Sequence, residues 1–338
     1  MASILLLSDK GRILPIGGWL KNEGHIVKCW FKQGGDELLK GSRNPARVTQ
    51  YSRLLEQYDL ILAEASLAGP AQEVQQAGKQ ALGCNGVTNK LMMDLDYQKK
   101  VLEYLVGKRE PLMGIQMRLT GWLSAGGFSP LILLSLPSYH LMERNKGPET
   151  EGMGSLAVFL QGDSKLAQTL LPFEEFLLKA KYQGPFSATV QVKGDLWSIS
   201  QIDSQFIPED VLAGAELLKI SLFEFLFDLL EEGQKGKAWD GLGLSITVTA
   251  PPWPYLGVPV KAGYIDVPEP ARKHFSAADQ WLGVLGVATS RGEDVREARR
   301  RVYRTISNSV QDPRVQYRED IGIEGDKDLL VLKEWGWL

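Results

Sequence analysis

The groups in this 338-residue chain that could do chemistry are few and scattered. His25, His140 and His274 stand far apart, and neither Cys29 nor Cys84 has a CxxC partner, so no zinc site can be composed from them. Both thiols read as ordinary buried cysteines. One stretch is denser. Gly147-Pro148-Glu149-Thr150-Glu151-Gly152-Met153-Gly154 is glycine-rich, and a loop of that kind can turn backbone N–H groups toward a phosphate or carboxylate. Asp203 and His140 are of the type that accepts a proton from an attacking amine, although a strand-end polar residue and a loop histidine are the plainer readings. Arg296, Arg299, Arg300, Arg301 and Arg304 fall on one predicted helix. That helix suits a solvated face, with Glu297 and Arg301 in the favourable i, i+4 order, or a phosphate-contacting surface.

Those side chains need elements to position them. Residues 4–7 give a buried-strand signal, followed by the polar turn Ser8-Asp9-Lys10-Gly11-Arg12 and a helix through Leu20. A second strand is expected over 25–31, a helix over 48–57 and a third strand over 60–63. Such alternation predicts a parallel sheet with covering helices and ligands at the carboxyl ends of its strands. A helix over 91–106 is broken by 108–111, the Gly-rich 121–127 stretch follows, and the first domain boundary is expected near here. Then come a strand over 131–136 and a long polar loop ending in the 147–154 segment, a length that is usually functional. A helix over 166–181 restarts at Pro172, and strands 187–192 and 197–202 form a hairpin turning at Lys193-Gly194-Asp195. An apolar helix over 212–230 carries Ser221, Glu224 and Asp228 at helical spacing. Strands 244–249 and 282–289 and the charged helix 294–306 complete the pattern.

Composition narrows the class. With 44% hydrophobic and 23% charged residues the chain is a folded globular protein, not a disordered one. The longest apolar stretch, 217–230, is interrupted by Lys219, Glu224 and Asp228, and no basic segment leads into an apolar run at the N-terminus. The expectation is a cytoplasmic protein, in the host cytoplasm if viral, without a membrane partner. A net charge of −3 argues against a surface that is wholly a trap for nucleic acid and leaves room for a local basic groove.

Together these landmarks resemble glycinamide ribonucleotide synthetase, the ATP-grasp ligase family that joins glycine to phosphoribosylamine. Residues 147–154 look like that family's GPxTGGMG segment, with Glu151 in place of the first paired glycine. Tyr317-Arg318-Glu319-Asp320-Ile321-Gly322 is similar to its YRxDIG motif, Tyr182-Gln183-Gly184 resembles its YTG, and Gly11-Arg12 matches part of its GGRE turn. Ala250-Pro251-Pro252-Trp253-Pro254-Tyr255 stands where the family has a GYP-type turn; Trp253 and Tyr255 would stack on a base or pack as an aromatic corner. The resemblance runs nearly end to end. It implies an α/β (α+β) protein of bacteriophage type: a Rossmann-like domain over 1–106, a reduced ATP-grasp core over 107–235 and a small mixed C-terminal domain over 236–338. About two dozen residues separate the helix ending near 106 from the strand at 131, too few for the family's small lid subdomain.

The same resemblance implies losses. The family's phosphate-binding lysine falls at Leu95, its Asp-His-Lys-Arg run at Pro137-Ser138-Tyr139-His140, and its Glu-Phe-Asn-x-Arg-Phe strand at Gln201-Ile202-Asp203-Ser204-Gln205-Phe206. A hard dication is left a thin site. Lys99, Lys100, Lys108 and Arg109 read as a solvated helix end or as the remaining cations for phosphates, and Glu64-Ala65-Ser66 replaces the family's Gly-Pro-Glu. What the resemblance retains is the acceptor and amino-acid side. Gly11, Arg12, Gly147, Pro148, Thr150, Gly152, Met153, Gly154, Gln201, Arg318 and Asp320 would bind substrate, with Arg318 and Asp320 equally readable as a structural pair; Asp203 or His140 would be the catalytic base, and no metal ligand is assigned. The implied function is transfer of an amino acid, glycine, to a pre-activated phosphorylated acceptor, such as a hydroxymethyl-pyrimidine in phage DNA hypermodification. DNA is then a further partner. The alternatives are an ATP-dependent phosphoribosylamine–glycine ligase, the one reading that brings in ATP and Mg2+, and a non-catalytic binding protein.

Overall fold

Four consecutive aliphatic residues, Ile4 to Leu7, form a strand buried on both faces, the pattern of a parallel sheet. In this computed structural model, which describes residues 1–32, 45–161, 163–233, 236–251, 253–254, 275–277, 283–310 and 315–338, that strand is β1 (Ser3–Ser8). α1 (Leu14–Asn22), β2 (Ile26–Phe31), the short β3 (Ala46–Arg47) and β4 (Leu60–Ala63) follow. The helix expected over 48–57 is a 3-10 helix, Tyr51–Gln57. The strands pair in parallel in the order β3-β2-β1-β4. Alternation assigns the faces: Ile4 and Leu6 pack with α1, while Leu5 and Leu7 pack with Tyr51 and Leu55. Each such buried aliphatic side chain contributes roughly 1.5–3 kcal/mol. α2 (Ala68–Gln76), α3 (Gly86–Met93) and α4 (Leu95–Val106) come next. The last two replace the single helix expected over 91–106, because Asp94 ends one and caps the other, accepting from Tyr97 N at 2.9 Å.

Residues 107–114 alone join α4 to the second sheet, and they contain no strand or helix. That sheet comprises β5 (Ile115–Ser124), β6 (Gly127–Phe128), β7 (Leu131–Met142), β8 (Lys146–Gln161), β9 (Gly184–Lys193), β10 (Leu196–Asp203), β11 (Leu242–Thr249), β12 (Phe275–Ala277) and β13 (Val284–Gly292). Every pairing in it is antiparallel, in the order β10-β9-β5-β7-β8-β11-β13-β12 with β6 beside β5. α5 (Leu171–Lys179) lies between β8 and β9, α6 (Pro208–Ala215) and α7 (Leu222–Asp228) between β10 and β11, and α8 (Val295–Ser309) and α9 (Ile323–Glu334) at the end. The main core gathers Met117 and Leu119 of β5, Ala188 and Val190 of β9, Phe173 and Leu177 of α5, and Ala298 and Val302 of α8.

Gly121 of the Gly-rich stretch sits inside β5, where a Cβ would lie 2.7 Å from the Phe128 ring, so the glycine admits that ring. Two expectations are corrected here. The polar loop expected over 137–154 is instead two long strands, β7 running on to Met142 and β8 starting at Lys146, joined through Arg144 and Asn145 at φ 56° and 54°. The apolar helix expected over 212–230 is two, since Ser221 begins α7 with a reciprocal capping box, accepting from Glu224 N at 3.1 Å while its own N–H donates to Glu224 Oε2 at 2.9 Å. The 193–195 hairpin turn, the helix restart at Pro172 and the Asp294-capped helix stand as expected. Among the described residues no helix is long and apolar enough to cross a membrane.

Candidate functional site

Alternation along three neighbouring strands builds the floor of a cleft. On β5, Met117 and Leu119 face the core, so Gln116 and Arg118 face the other way; on β9, Ala188 and Val190 are buried while Thr189 and Gln191 face the cleft; on β10, Ile202 points inward and Gln201 and Asp203 outward. Register aligns them, pairing Arg118 with Thr189, Gln116 with Gln191, and Gln201 with Thr189. A bulge between Ile199 and Gln201 adds Ser200 to the lining. Tyr139, Glu149, Thr150 and Glu151 of the β7–β8 hairpin, Arg12 of the β1–α1 turn, and Gln205 close the walls around a volume of about 540 Å3.

The electrostatics centre on Arg118. Its Nη1 donates to Asp210 Oδ2 at 2.7 Å and its Nη2 to the Tyr139 hydroxyl at 2.7 Å, while its Nε and Asp210 Oδ1 are buried without a protein partner. Burial pulls the guanidinium's pKa down, but Asp210, Tyr139 and Asp203 more than reverse that and leave it raised. Asp210 and Glu209 occupy the first turn of α6, where acidic residues suit the helix dipole, and all eight residues of that helix are buried. Asp203 is 7% exposed; burial pushes its carboxyl above the usual range, against the pull of Arg118, a bond from Gln205 N at 3.1 Å, and Arg12. Glu209, accepting from Thr247 Oγ1 at 3.0 Å, is also raised by burial. Arg12 reaches Gln205 Oε1 with Nη1 at 2.7 Å and lies 3.6 Å from Glu151 Oε2.

Of the residues singled out from the sequence, Arg12, Thr150, Gln201 and Asp203 line this cleft together. The others are placed elsewhere. Gly154 lies in the ladder with Ser138 and Ile246, and a Cβ there would come within 2.3 Å of Ser245 O, so this glycine serves close strand packing. Gly152 N donates to Thr150 Oγ1 at 3.2 Å, and Met153 is fully buried. The 147–154 segment is therefore a strand whose glycines admit neighbours, not a free loop of amides. His140 is not in the lining; its Nδ1 pairs with Gly147 O at 3.1 Å across the hairpin, and its neighbour Tyr139 faces the cleft instead.

Arg318 is 3% exposed and its fork is used internally: Nε and Nη2 hold Asp320 at 2.7 and 2.8 Å, and Nη1 reaches His140 O and Asn145 Oδ1 at 3.2 and 3.0 Å. Asp320 Oδ2 in turn accepts from Arg144 N at 2.7 Å. Burial alone would raise Asp320, but Arg318 and the Arg144 amide hold it below the usual carboxylate range. The two residues thus bolt the left-handed Arg144-Asn145 turn of the hairpin that carries Tyr139 and Thr150. Gly11 lies in the β1–α1 turn beside Arg12, and Pro148 in the same hairpin.

Lys99, Lys100 and Lys108 do not line the cleft, and Arg109 stacks on Trp197 at 3.7 Å. Trp253 is packed in the core, while Tyr255 and His274 lie outside the described residues. Cys29 and Cys84 are buried free thiols, and burial pushes Cys84 up to about 12. Arg301 pairs with Glu297 at 2.7 Å, as its helical spacing predicts. Sequence reasoning missed Arg118 and Asp210 as site residues. The period-2 pattern over 116–120, polar-apolar-polar-apolar-polar, was the signal that could have found Arg118.

The resemblance in the sequence brings ATP and magnesium into question, and the donor set can be tested against them. Arg12 and Arg118 face Glu149, Glu151 and Asp203, no lysine is in the lining, and among the described residues no group of three or more His, Cys, Asp or Glu is arranged to hold a metal. A triphosphate needs an excess of positive charge that this lining does not offer. Among the described residues the lining offers a triphosphate two arginines and no lysine.

No protein-family model and no curated protein matches the chain. Solved structures do. A phosphoribosylamine–glycine ligase from Thermotoga maritima superposes with a TM-score of 0.62 at 15% identity, over 95% of this chain and 100% of that one. A phosphoribosylglycinamide synthetase from Anaerococcus prevotii gives 0.59 at 8% identity, over 91% and 98%. An L-amino acid ligase from Bacillus licheniformis gives 0.55 at 10%, over 91% and 98%. At these identities the likeness concerns architecture: a mixed α/β chain with one parallel and one antiparallel sheet, in the fold of the ATP-grasp ligases.

Proposed function

We propose that this protein transfers an amino acid, glycine, onto an acceptor that carries its own phosphate leaving group, without ATP. The observation that carries the reading is the presence of Arg12 and Asp203 in the lining of one small cleft whose other charged groups, Arg118, Glu149 and Glu151, stand among neutral amides and hydroxyls. A zwitterion matches that pair, its carboxylate toward Arg12 and its ammonium toward Asp203. The raised affinity of Asp203 for a proton makes it the base: it takes one proton from the ammonium and frees the amine. The amine then attacks the carbon bearing the phosphate ester. A C–N bond forms, the C–O bond breaks, phosphate departs with the electron pair, and the second ammonium proton passes to solvent. A phosphorylated hydroxymethyl-pyrimidine, free or in phage DNA, is an acceptor of this class.

The test is incubation of the purified protein with isotopically labelled glycine and a phosphorylated hydroxymethyl-pyrimidine nucleotide, without ATP. Label in the nucleotide with matching phosphate release supports the reading. Incorporation that occurs only when ATP and magnesium are added would replace it with the ligase reading.

A further inference from the structure

The β1–α1 turn delivers Arg12 to the cleft, yet most of its amide bonds go elsewhere. In the order β3-β2-β1-β4 the order in which parallel strands are added reverses between β1 and β4, the point at which open α/β sheets receive ligands, often phosphates at a helix N-terminus. Here the chain supplies an anion of its own. Glu64 follows β4 directly and is fixed by its N–H bond to Leu7 O at 3.0 Å. Its carboxylate accepts from Asp9 N at 2.7 Å, Ile13 N at 3.2 Å, Lys10 N at 3.3 Å and the Ser8 hydroxyl. Ser8 Oγ in turn accepts from Gly11 N at 2.7 Å, with Gly11 at φ 81°. α1 has no capping side chain of its own, since Ile13 stands at its N-cap, so the negative charge at this nine-residue helix's N-terminus comes from a different strand.

Three backbone amides and a hydroxyl converging on two carboxylate oxygens form the environment that such turns otherwise offer to a bound phosphate or carboxylate. We propose that Glu64 is an internal ligand: its carboxylate fills the anion pocket of the β1–β4 switch point, sets the turn from which Arg12 enters the cleft, and closes that pocket to phosphate-bearing molecules. Glu64 is then a positioning and specificity residue. An acceptor phosphate has to be met outside the N-terminal sheet.

The experiment is chemical rescue. Glu64→Ala empties the pocket, and the variant is unfolded thermally in rising sodium acetate and, separately, sodium phosphate, with sodium chloride at equal ionic strength as control. The expected result is a loss of about 5 °C in Tm that acetate or phosphate recovers saturably and chloride does not, while the unmodified chain is unmoved at this pocket. Amide resonances of Asp9, Lys10 and Ile13 report where the anion sits; they shift with phosphate in Glu64→Ala alone. Glu64→Gln, which keeps the pocket filled, loses stability without gaining rescue. Should Glu64→Ala fail to fold, its refolding yield in acetate against chloride decides the matter in the same way. Unchanged stability in Glu64→Ala, absence of anion rescue, or phosphate shifts at the same three amides in the unmodified chain overturns the proposal.

Discussion

Two regions of this molecule carry charged residues of interest, and they differ in how those charges are used. Around Arg318 the fork is bound to Asp320, Asn145 and the His140 carbonyl, and the neighbouring glycines are packed against strands. On the β5–β9–β10 face Arg118 keeps a buried N–H without a protein partner, Asp210 keeps a bare oxygen, and Asp203 is held with its proton affinity raised. Most buried polar groups in proteins are hydrogen-bonded, and orphans occur in both regions, Gln316 Oε1 among them, so what sets the open sheet face apart is that its orphans belong to a charged pair beside a cleft. The proposed chemistry lies on that face, with the C-terminal motif as scaffolding.

The largest break in that contrast should come from Arg118→Ala, which strands Asp210 in the interior. It is expected to cost about 3–5 kcal/mol, measured by urea unfolding, and Arg118→Met with Asp210→Leu should recover much of it. Arg318→Ala should cost less, about 2 kcal/mol, and should loosen the 143–146 turn, seen as faster amide exchange there. Both variants test packing.

Two further variants sharpen the comparison through pH. The folded pKa of Asp320 is lowered, so its pair with Arg318 stabilises above the ordinary carboxylate range, and that stability is lost as pH falls through the folded value. Asp320→Asn should therefore flatten the acid limb of the stability curve. Asp203 has the opposite sign. Its folded pKa is raised, so whatever stability it confers is present at low pH and lost as pH rises through the folded value. Asp203→Asn should then be at least as stable as the unmodified chain near neutrality, while glycine transfer falls about a hundredfold or more. A drop in both would mark Asp203 as structural.

Much of the fold was legible. The aliphatic run at 4–7, the Gly194 hairpin and the charged periodic run from 294 are local signals, and each led to the right element. The 137–154 segment misled because its polar residues and glycines read as a loop, while pairing with β7 and β11, a tertiary fact, makes it a strand. At 221–224 the Ser-x-x-Glu capping box was present, but the apolar periodicity around it outweighed it. For the candidate site, Arg12, Thr150, Gln201 and Asp203, singled out from the sequence, line one cleft, whereas Arg118 depends on alternation along β5 and Asp210 on where α6 is buried.

The most direct test of the central claim is calorimetric titration of glycine, and separately of Mg-ATP, into the unmodified chain and into Arg12→Ala and Asp203→Asn. Saturable binding of glycine to the unmodified chain, lost in both variants, is expected, with no heat from Mg-ATP. Tight binding of Mg-ATP, or glycine binding indifferent to Arg12 and Asp203, would contradict that claim.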